Sequence, residues 1–307
     1  MDRLQAMQIY VNIVERGSFT QAAEALQQHR PAVTKAVQQL EAELGIRLLN
    51  RSTRRVSTTA EGEAFYQRCV QLLANVNDTF ASFAQFAQNR PQPKGRLRLD
   101  LPVALAKAVV VPALPDFQQR YPQVEIVLGV SDQPADLISE GIDCVLRVGA
   151  LKDSGLIGRQ IGMVQLATCA SPAYLARYGV PRTLDDLQSA SQPHKAVNFF
   201  SGRNRRVMDW TFRQGGKTVT LKLASGMLTD NFDALLACGL AGCGIVQALR
   251  PALQPSIDTG HLVEVLPNIA PVPKPVSVLY PNRDHLPGKV RVFIDWISEL
   301  AARRLPG

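Results

Sequence analysis

The stretch Ser18-Phe-Thr-Gln-Ala-Ala-Glu-Ala-Leu26, followed by His29-Arg-Pro-Ala-Val-Thr-Lys-Ala-Val-Gln-Gln-Leu-Glu41 and by Gly45-Ile-Arg-Leu-Leu-Asn-Arg-Ser-Thr-Arg-Arg55, decides how this chain is read. Ser18 and Gln21 have the spacing of a capping box, in which the serine oxygen takes an orphan helix N–H and the glutamine reaches back. Ala22, Ala23 and Leu26 then share one face, and the alanines let another helix approach closely. A second helix is expected from Pro31, where the missing N–H would be unpaired anyway. Val33, Val37, Leu40 and Leu44 form its apolar stripe, and Gly45 ends it. Its opposite face carries Arg30, Thr34, Lys35 and Gln38, side chains that donate to phosphates and base edges.

A basic loop follows. Between residues 27 and 59, six Lys or Arg (30, 35, 47, 51, 54, 55) stand against Glu41 and Glu43, a net of +4 out of +8 for the whole chain. A basic run alone is usually a solvated face. Joined to the two-helix spacing and Pro31, it points to double-stranded DNA as a partner.

These residues resemble the LysR-type transcriptional regulators, and the resemblance covers the whole chain. It is most specific in Gly17-Ser18-Phe19-Thr20-x-Ala22-Ala23-x-x-Leu26, Pro31-Ala32-Val33-Thr34, Leu40-Glu41-x-x-Leu44-Gly45-x-x-Leu48-Leu49-x-Arg51 and Thr59-x-x-Gly62. The resemblance implies a multidomain α+β and α/β chain: a winged helix-turn-helix, a long linker helix and a two-lobed, periplasmic-binding-protein-like effector domain. On this reading Ser18, Thr20, His29, Arg30, Pro31, Thr34, Lys35 and Gln38 meet DNA at or near the major groove. Arg51, Ser52, Thr53, Arg54 and Arg55 hold the wing on the backbone or minor groove, and Thr59 presents a capped helix end to a phosphate. Two departures stand out: His29-Arg30 replaces a Ser-Gln-like pair, so no operator sequence transfers, and Leu49 replaces Phe, a volume-tolerant apolar swap.

Upstream, Leu4, Met7, Val11 and Val14 predict one face of a first helix over 2–16. Downstream, residues 60–88 hold no proline and one glycine, Gly62. Thr59 suits its cap, and Glu61 and Glu63 its positive end. Phe65, Cys69, Leu72, Val76, Thr79, Phe83 and Phe86 recur at spacings of 4 and 3 in turn, a heptad seam that calls for a partner helix. A homodimer through this helix, and from the resemblance a homotetramer, is the expected assembly, with RNA polymerase a further partner open to it. The domains are therefore 1–59 for DNA binding, 60–88 for the linker helix, 89–95 for a Pro- and Gly-broken hinge, and 96–307 for the effector.

Beyond the hinge, strands and helices alternate, which suggests parallel α/β units. Strands are expected at 97–101, 124–130, 142–148, 163–170, 197–200, 218–223, 244–247 and 276–280. Helices are expected at 109–119, 135–140, 172–178, 231–240 and 290–300. The resemblance adds a split into lobe I, 96–162 with 268–307, and lobe II, 163–267, with two crossing strands as hinge and a small-molecule effector in the cleft. Candidates for that cleft follow the strand ends: Pro102, Val103, Ala104, Ser131, Val148, Gly149, Phe200, Ser201, Thr229, Asp230 and Asn231. The helix start at Asn231 would favour an anionic group, with Asp230 either capping or touching ligand. Pro102 stands where the family often has a polar residue, which removes a donor.

Composition narrows the alternatives. A hydrophobic content of 46% over 307 residues supports sizeable cores. No apolar run reaches the roughly 18 residues of a membrane span, and the N-terminus lacks a secretory apolar region, so the cytoplasm is the expected location. Cys69, Cys144, Cys169, Cys238 and Cys243 are odd in number and mostly far apart, which argues against disulfides. Buried inert thiols are the plain reading and a redox-sensing regulator the alternative, since some members of the family work that way. His29, His194, His261 and His285 lie apart, so neither metal nor cofactor is expected. Gly239-Leu-Ala-Gly242-Cys-Gly244 follows a helix and precedes a strand, the reverse of a dinucleotide fingerprint. A solute-binding protein would share the α/β half but need neither residues 1–88 nor a cytoplasmic location. No sequence context suggests a catalytic triad, so no enzyme is expected.

Overall fold

The computed structural model describes residues 2–51, 56–84, 93–134, 137, 140–151, 155–188, 194–201, 205–281 and 286–305. The chain divides at Pro91 into two compact units.

The first unit opens with α1 (Arg3–Arg16), α2 (Phe19–Ala25) and α3 (Arg30–Leu44), then the hairpin strands β1 (Leu49–Arg51) and β2 (Val56–Thr58), then α4 (Ala60–Ala84). Asp2 caps α1 and Ser18 caps α2 through the N–H of Gln21. Two faces differ from expectation. In α1 the buried side is Ala6, Ile9, Tyr10, Val11 and Ile13; of the expected face Val11 is buried and Met7 and Val14 pack at the core's edge, while Leu4 is 40% exposed and the centre of the stripe runs through Ala6, Ile9, Tyr10 and Ile13. In α3, Val33, Ala36, Val37 and Leu40 are buried, but Leu44 is exposed at the helix end.

The seam on α4 is also divided. Phe65 rests on Tyr10, ring centroids 5.6 Å apart, and Cys69 is fully buried in the same small core. These two positions are used by the unit's own packing, because three short helices alone enclose little volume. Further along, Val76 is half-buried, while Leu72 is 47% and Phe80 75% exposed. The side chains of Thr79 and Phe83, and Phe86 altogether, lie outside the described part, as do hinge residues 89–92.

The second unit starts with β3 (Gly95–Leu101) and a continuous helical run: α5 (Val103–Leu105), a π turn, a 3-10 turn and α6 (Leu114–Arg120). It continues with β4 (Val124–Val130), β5 (Cys144–Val148), β6 (Leu156–Val164) and β7 (Leu166–Ala170). After α7 (Pro172–Tyr178) and α8 (Leu184–Leu187) come β8 (Ala196–Ser201), β9 (Arg206–Val207), β10 (Trp210–Gln214), β11 (Lys217–Leu221) and β12 (Ser225–Thr229). The last elements are α9 (Phe232–Leu240), β13 (Val246–Leu249), α10 (Arg250–Asp258), β14 (Val263–Glu264), β15 (Lys274–Pro281) and α11 (Gly288–Arg304).

The sheets are mixed, which corrects the expected all-parallel pattern. One has the order β4-β3-β5-β15-β6; β3 is parallel to β4 and β5, and β15 is antiparallel to β5 and β6. The others are β13-β7-β14, β12-β8-β9 and the hairpin β10-β11. Gln165 alone separates β6 from β7, so the chain steps directly from one sheet into the next. Lys217–Leu221 is the second strand of the hairpin rather than of a parallel unit, because Gly215 and Gly216, both at positive φ, make a two-residue turn. The expected helix at 135–140 falls largely outside the described residues.

α11 buries Val290, Phe293, Ile294, Ile297 and Leu300 as expected, together with Trp296 and Lys289. Phe117 of α6 packs edge-on to Phe293 and Trp296, at 5.8 and 5.2 Å. Lys289 is a buried charge: its Nζ donates to the Arg96 carbonyl at 2.6 Å and lies 3.2 Å from Asp143 Oδ2. Asp143 Oδ2 in turn accepts the Arg98 N–H. Removing one member of such a pair strands the other charge. Lys289→Met is expected to cost about 3–5 kcal/mol in urea unfolding of this unit, with much of the loss recovered when Asp143→Asn accompanies it.

Candidate nucleic-acid interface and ligand cavity

On α3, the face opposite the core is polar. Arg30, Pro31, Lys35 and Gln38 are exposed there, and Thr20 and His29 are exposed nearby. His29 is the N-cap residue by backbone only; its side chain makes no capping bond. Thr34 is half-buried and its hydroxyl donates to the Arg30 carbonyl at 3.0 Å, which leaves an acceptor and a methyl for a base. Ser18 is half-buried and accepts the Gln21 N–H at 3.4 Å. Arg51 ends β1 opposite Val56, whereas Ser52, Thr53, Arg54 and Arg55 lie outside the described residues.

Thr59 caps the start of α4, as its place in the sequence suggested. Its Oγ1 donates to the Arg47 carbonyl at 2.8 Å and accepts the Gly62 N–H at 2.9 Å, and its own N–H goes to the Leu48 carbonyl. Thr59 thereby joins the hairpin to α4. Gly62 completes the joint: a Cβ there would stand 2.0 Å from the Leu48 oxygen, and its carbonyl accepts the Tyr10 hydroxyl. Glu41, which the sequence offered as a charge and as part of the family motif, accepts the N–H groups of Leu48 and Leu49 at 2.9 and 3.2 Å. It fixes the hairpin to α3.

In the second unit, a cavity of about 250 Å³ lies between the five-stranded sheet and the sheets built on β7 and β8. Of the sequence candidates, Pro102, Ala104, Ser131, Val148 and Ser201 line it. Val103 does not; it is buried in the core. Phe200 does not, because strand alternation sends Phe199 and Ser201 to the cavity and Phe200 to the other face, against Arg205. Gly149 is also off the wall, its N–H bonded to the Pro275 carbonyl. Thr229, Asp230 and Asn231 are committed within the protein: Thr229 Oγ1 accepts the Asn231 N–H, Asn231 caps α9, and Asp230 accepts from Gln133 at 2.8 Å.

The wall residues missed from sequence include Asp132, Arg147, Lys274, Trp210 and Phe232. Arg147 had a readable signal, a lone arginine in an apolar strand; it reaches Asp100 on the neighbouring strand. Trp210 and Phe232 had none, because their approach depends on how the sheets meet. Asp132 is the central one: Oδ1 accepts the Val103 N–H at 3.0 Å and Oδ2 the Phe232 N–H at 2.8 Å. One carboxylate thereby caps α5 and α9, and supplies the cap that Pro102 cannot. Lys107 and Asp233 form an exposed ion pair beside it.

Residues 4–63 match the family model described as "Bacterial regulatory helix-turn-helix protein, lysR family", and residues 90–302 match the one described as "LysR substrate binding domain". The chain belongs to the LysR family. It is a LysR-type transcription regulator, with a helix-turn-helix domain and an effector-binding domain. An HTH-type transcriptional repressor of Pseudomonas aeruginosa is 38% identical over 302 residues, 98% of this chain and 93% of that one. The uncharacterized HTH-type transcriptional regulator YhjC of Escherichia coli is 37% identical, covering 97% of each chain. Among solved structures, the full-length Vibrio cholerae virulence activator AphB is similar with a TM-score of 0.58 at 29% identity, covering 96% of this chain and 98% of that one. LysR-type regulators bind DNA and small molecules and oligomerise. Among the described residues, no helix is long and apolar enough to cross a membrane.

The thiols bear on the redox alternative. Burial pushes Cys69 and Cys169 up to about 12 and Cys144 further, which keeps these three protonated and unreactive at neutral pH. Cys238 is raised as well, by burial first and by Cys243 second.

The Asp132 carboxyl is held above the usual range, because burial outweighs the two amide bonds that lower it, and Asp233 and Asp230 add to the rise. A raised carboxyl binds its proton more tightly in the folded state. Its contribution to stability is full below the unfolded value and is lost as pH rises through the folded one. Asp132→Asn abolishes that titration, so the stability of the variant minus that of the wild type is expected to grow from acidic to neutral pH in thermal unfolding. A difference independent of pH would contradict this account of Asp132.

Proposed function

We propose that this LysR-type regulator reads a specific operator with α3, steadied by the β1–β2 wing, and that a small molecule in the cavity alters how it sits on DNA. The observation that carries the first part is the exposed row Arg30, Pro31, Lys35 and Gln38 on a helix whose other side buries Val33, Ala36, Val37 and Leu40. A helix so mounted offers donors to base edges and phosphates without disturbing its core. Ser18, Thr20, His29 and Thr34 complete the contact set on this reading, and the wing arginines from Arg51 to Arg55 serve as phosphate clamps. A homodimer through the exposed Leu72 and Phe80 of α4 would present two heads to two half-sites, and pairing of dimers would give a tetramer. The protein works in the cytoplasm, where bound DNA would bring it to RNA polymerase; it acts by binding rather than catalysis. Ligand in the cavity shifts the population between two assemblies by preferring one of them.

Arg30→Ala with Lys35→Ala is expected to weaken binding to every duplex and to flatten the salt dependence by about one per lost phosphate contact; binding titrations across a range of salt check this, and an unchanged slope would move the contact elsewhere. Leu72→Asp with Phe80→Asp is expected to convert the dimer to monomer in sedimentation while leaving the helical content intact.

A further inference from the structure

We infer that Cys238 and Cys243 form a redox-active dithiol, which a small oxidant closes into a disulfide within the chain and a reductant reopens. The assignment stands on the turn between α9 and β13 and does not depend on how the cavity is used. α9 ends in a Schellman turn. The Cys243 N–H bonds the Cys238 carbonyl at 3.0 Å, the Gly242 N–H bonds the Gly239 carbonyl at 3.1 Å, and Gly242 takes the positive φ of 76° that closes the turn. Such a turn sets the residue that accepts the outer bond beside the one that donates it, and an apolar pair usually meets there. Here the pair is two cysteines. Gly239 and Gly244 serve packing: a Cβ on the first would stand 2.8 Å from Val246, and on the second 2.6 Å from the Lys195 carbonyl.

The backbone brings the pair within bridging distance. The N–Cα bond, the 3.0 Å hydrogen bond and the reach from carbonyl oxygen to Cα together hold the two Cα atoms within about 7 Å, and the bends at each atom bring them closer, into the range that disulfides span. The two thiols already interact. Both cysteines are half-buried, whereas Cys69, Cys144 and Cys169 are buried. Leu240 and Ala241 between them are exposed, so a molecule the size of a peroxide reaches the turn. With hydrogen peroxide as co-reactant, one sulfur attacks a peroxide oxygen as its thiolate. The O–O bond breaks, hydroxide leaves and takes up the thiol proton as water, and a sulfenic acid remains. The second sulfur then attacks the first; the S–S bond forms, the S–O bond breaks, and the hydroxyl leaves with the second thiol proton as water. Two thiols are oxidised and one peroxide is reduced to two waters. Burial and the neighbouring thiol keep the Cys238 proton in place, so excess oxidant is needed at neutral pH. The bridge ties the end of α9 to the approach of β13, elements that line the cavity through Leu235 and Gln247.

Thiol counting on the full chain tests this. The protein is treated with excess hydrogen peroxide, quenched with catalase, unfolded, alkylated with iodoacetamide and mapped by peptide mass. Two of the five thiols are expected to escape alkylation, Cys238 and Cys243, in a peptide lighter by the hydrogens lost, and dithiothreitol is expected to restore both. Cys238→Ser and Cys243→Ser are each expected to abolish the bridge and to leave a sulfenic acid on the remaining cysteine, which dimedone traps. The map of the unsubstituted protein locates the bridge even where a serine variant fails to fold. Full alkylation after treatment, a bridge through Cys69, Cys144 or Cys169, a bridge between two chains on non-reducing electrophoresis, or oxidation that dithiothreitol does not reverse would overturn the inference.

Discussion

The Asp132 carboxylate holds the second unit together at its most sensitive point. Its two oxygens take amides from the first turns of two helices, α5 just after β3 and α9 just after β12. Neither helix has a side chain of its own for that N–H: Pro102 has no donor or acceptor to give, and Asn231 is occupied with Ala234. Both ends therefore depend on one residue of the β4 loop. Burial works against the charge that makes both bonds. Two helix ends on opposite sides of the cavity are thus tied through a single side chain.

The first unit obeys the opposite logic. Its joints are made of backbone amides and carbonyls met at close range, through Glu41, Thr59 and Gly62. These leave α3 rigid and free it to display polar side chains outward. Thr34 illustrates the division, half-buried and with its proton returned to its own helix.

Much of the first unit was legible because its signals are local: Ser18 as a cap, Pro31 in the first turn, Gly45 as a stop. What was misread there was phase. Leu4 and Leu44 sit at helix ends, where an apolar residue can satisfy the periodicity and still face water. Phe65 and Cys69 were read with Leu72 and Val76 as one seam, since a heptad pattern does not say which partner takes each turn. In the second unit the helices at 172–178 and 231–240 were visible from capping and periodicity, whereas strand direction was not. Alternation of strands and helices cannot show that β15 returns antiparallel between β5 and β6, because that depends on a crossing far away in sequence. The cavity suffered from the same limit. Loop ends after strands gave Pro102, Ala104, Ser131, Val148 and Ser201, but a one-residue slip chose Phe200 over Phe199, and the opposing wall with Trp210 and Phe232 comes from elements no local pattern relates.

The joint between Thr59, Gly62 and the Leu48 carbonyl has a mechanical consequence. With no room for even a methyl at residue 62, the first turn of α4 cannot roll or tilt against the hairpin without breaking the hydrogen bonds of Thr59. The hairpin and the start of that long helix thus form one block, and a torque on the helix would reach the hairpin through it.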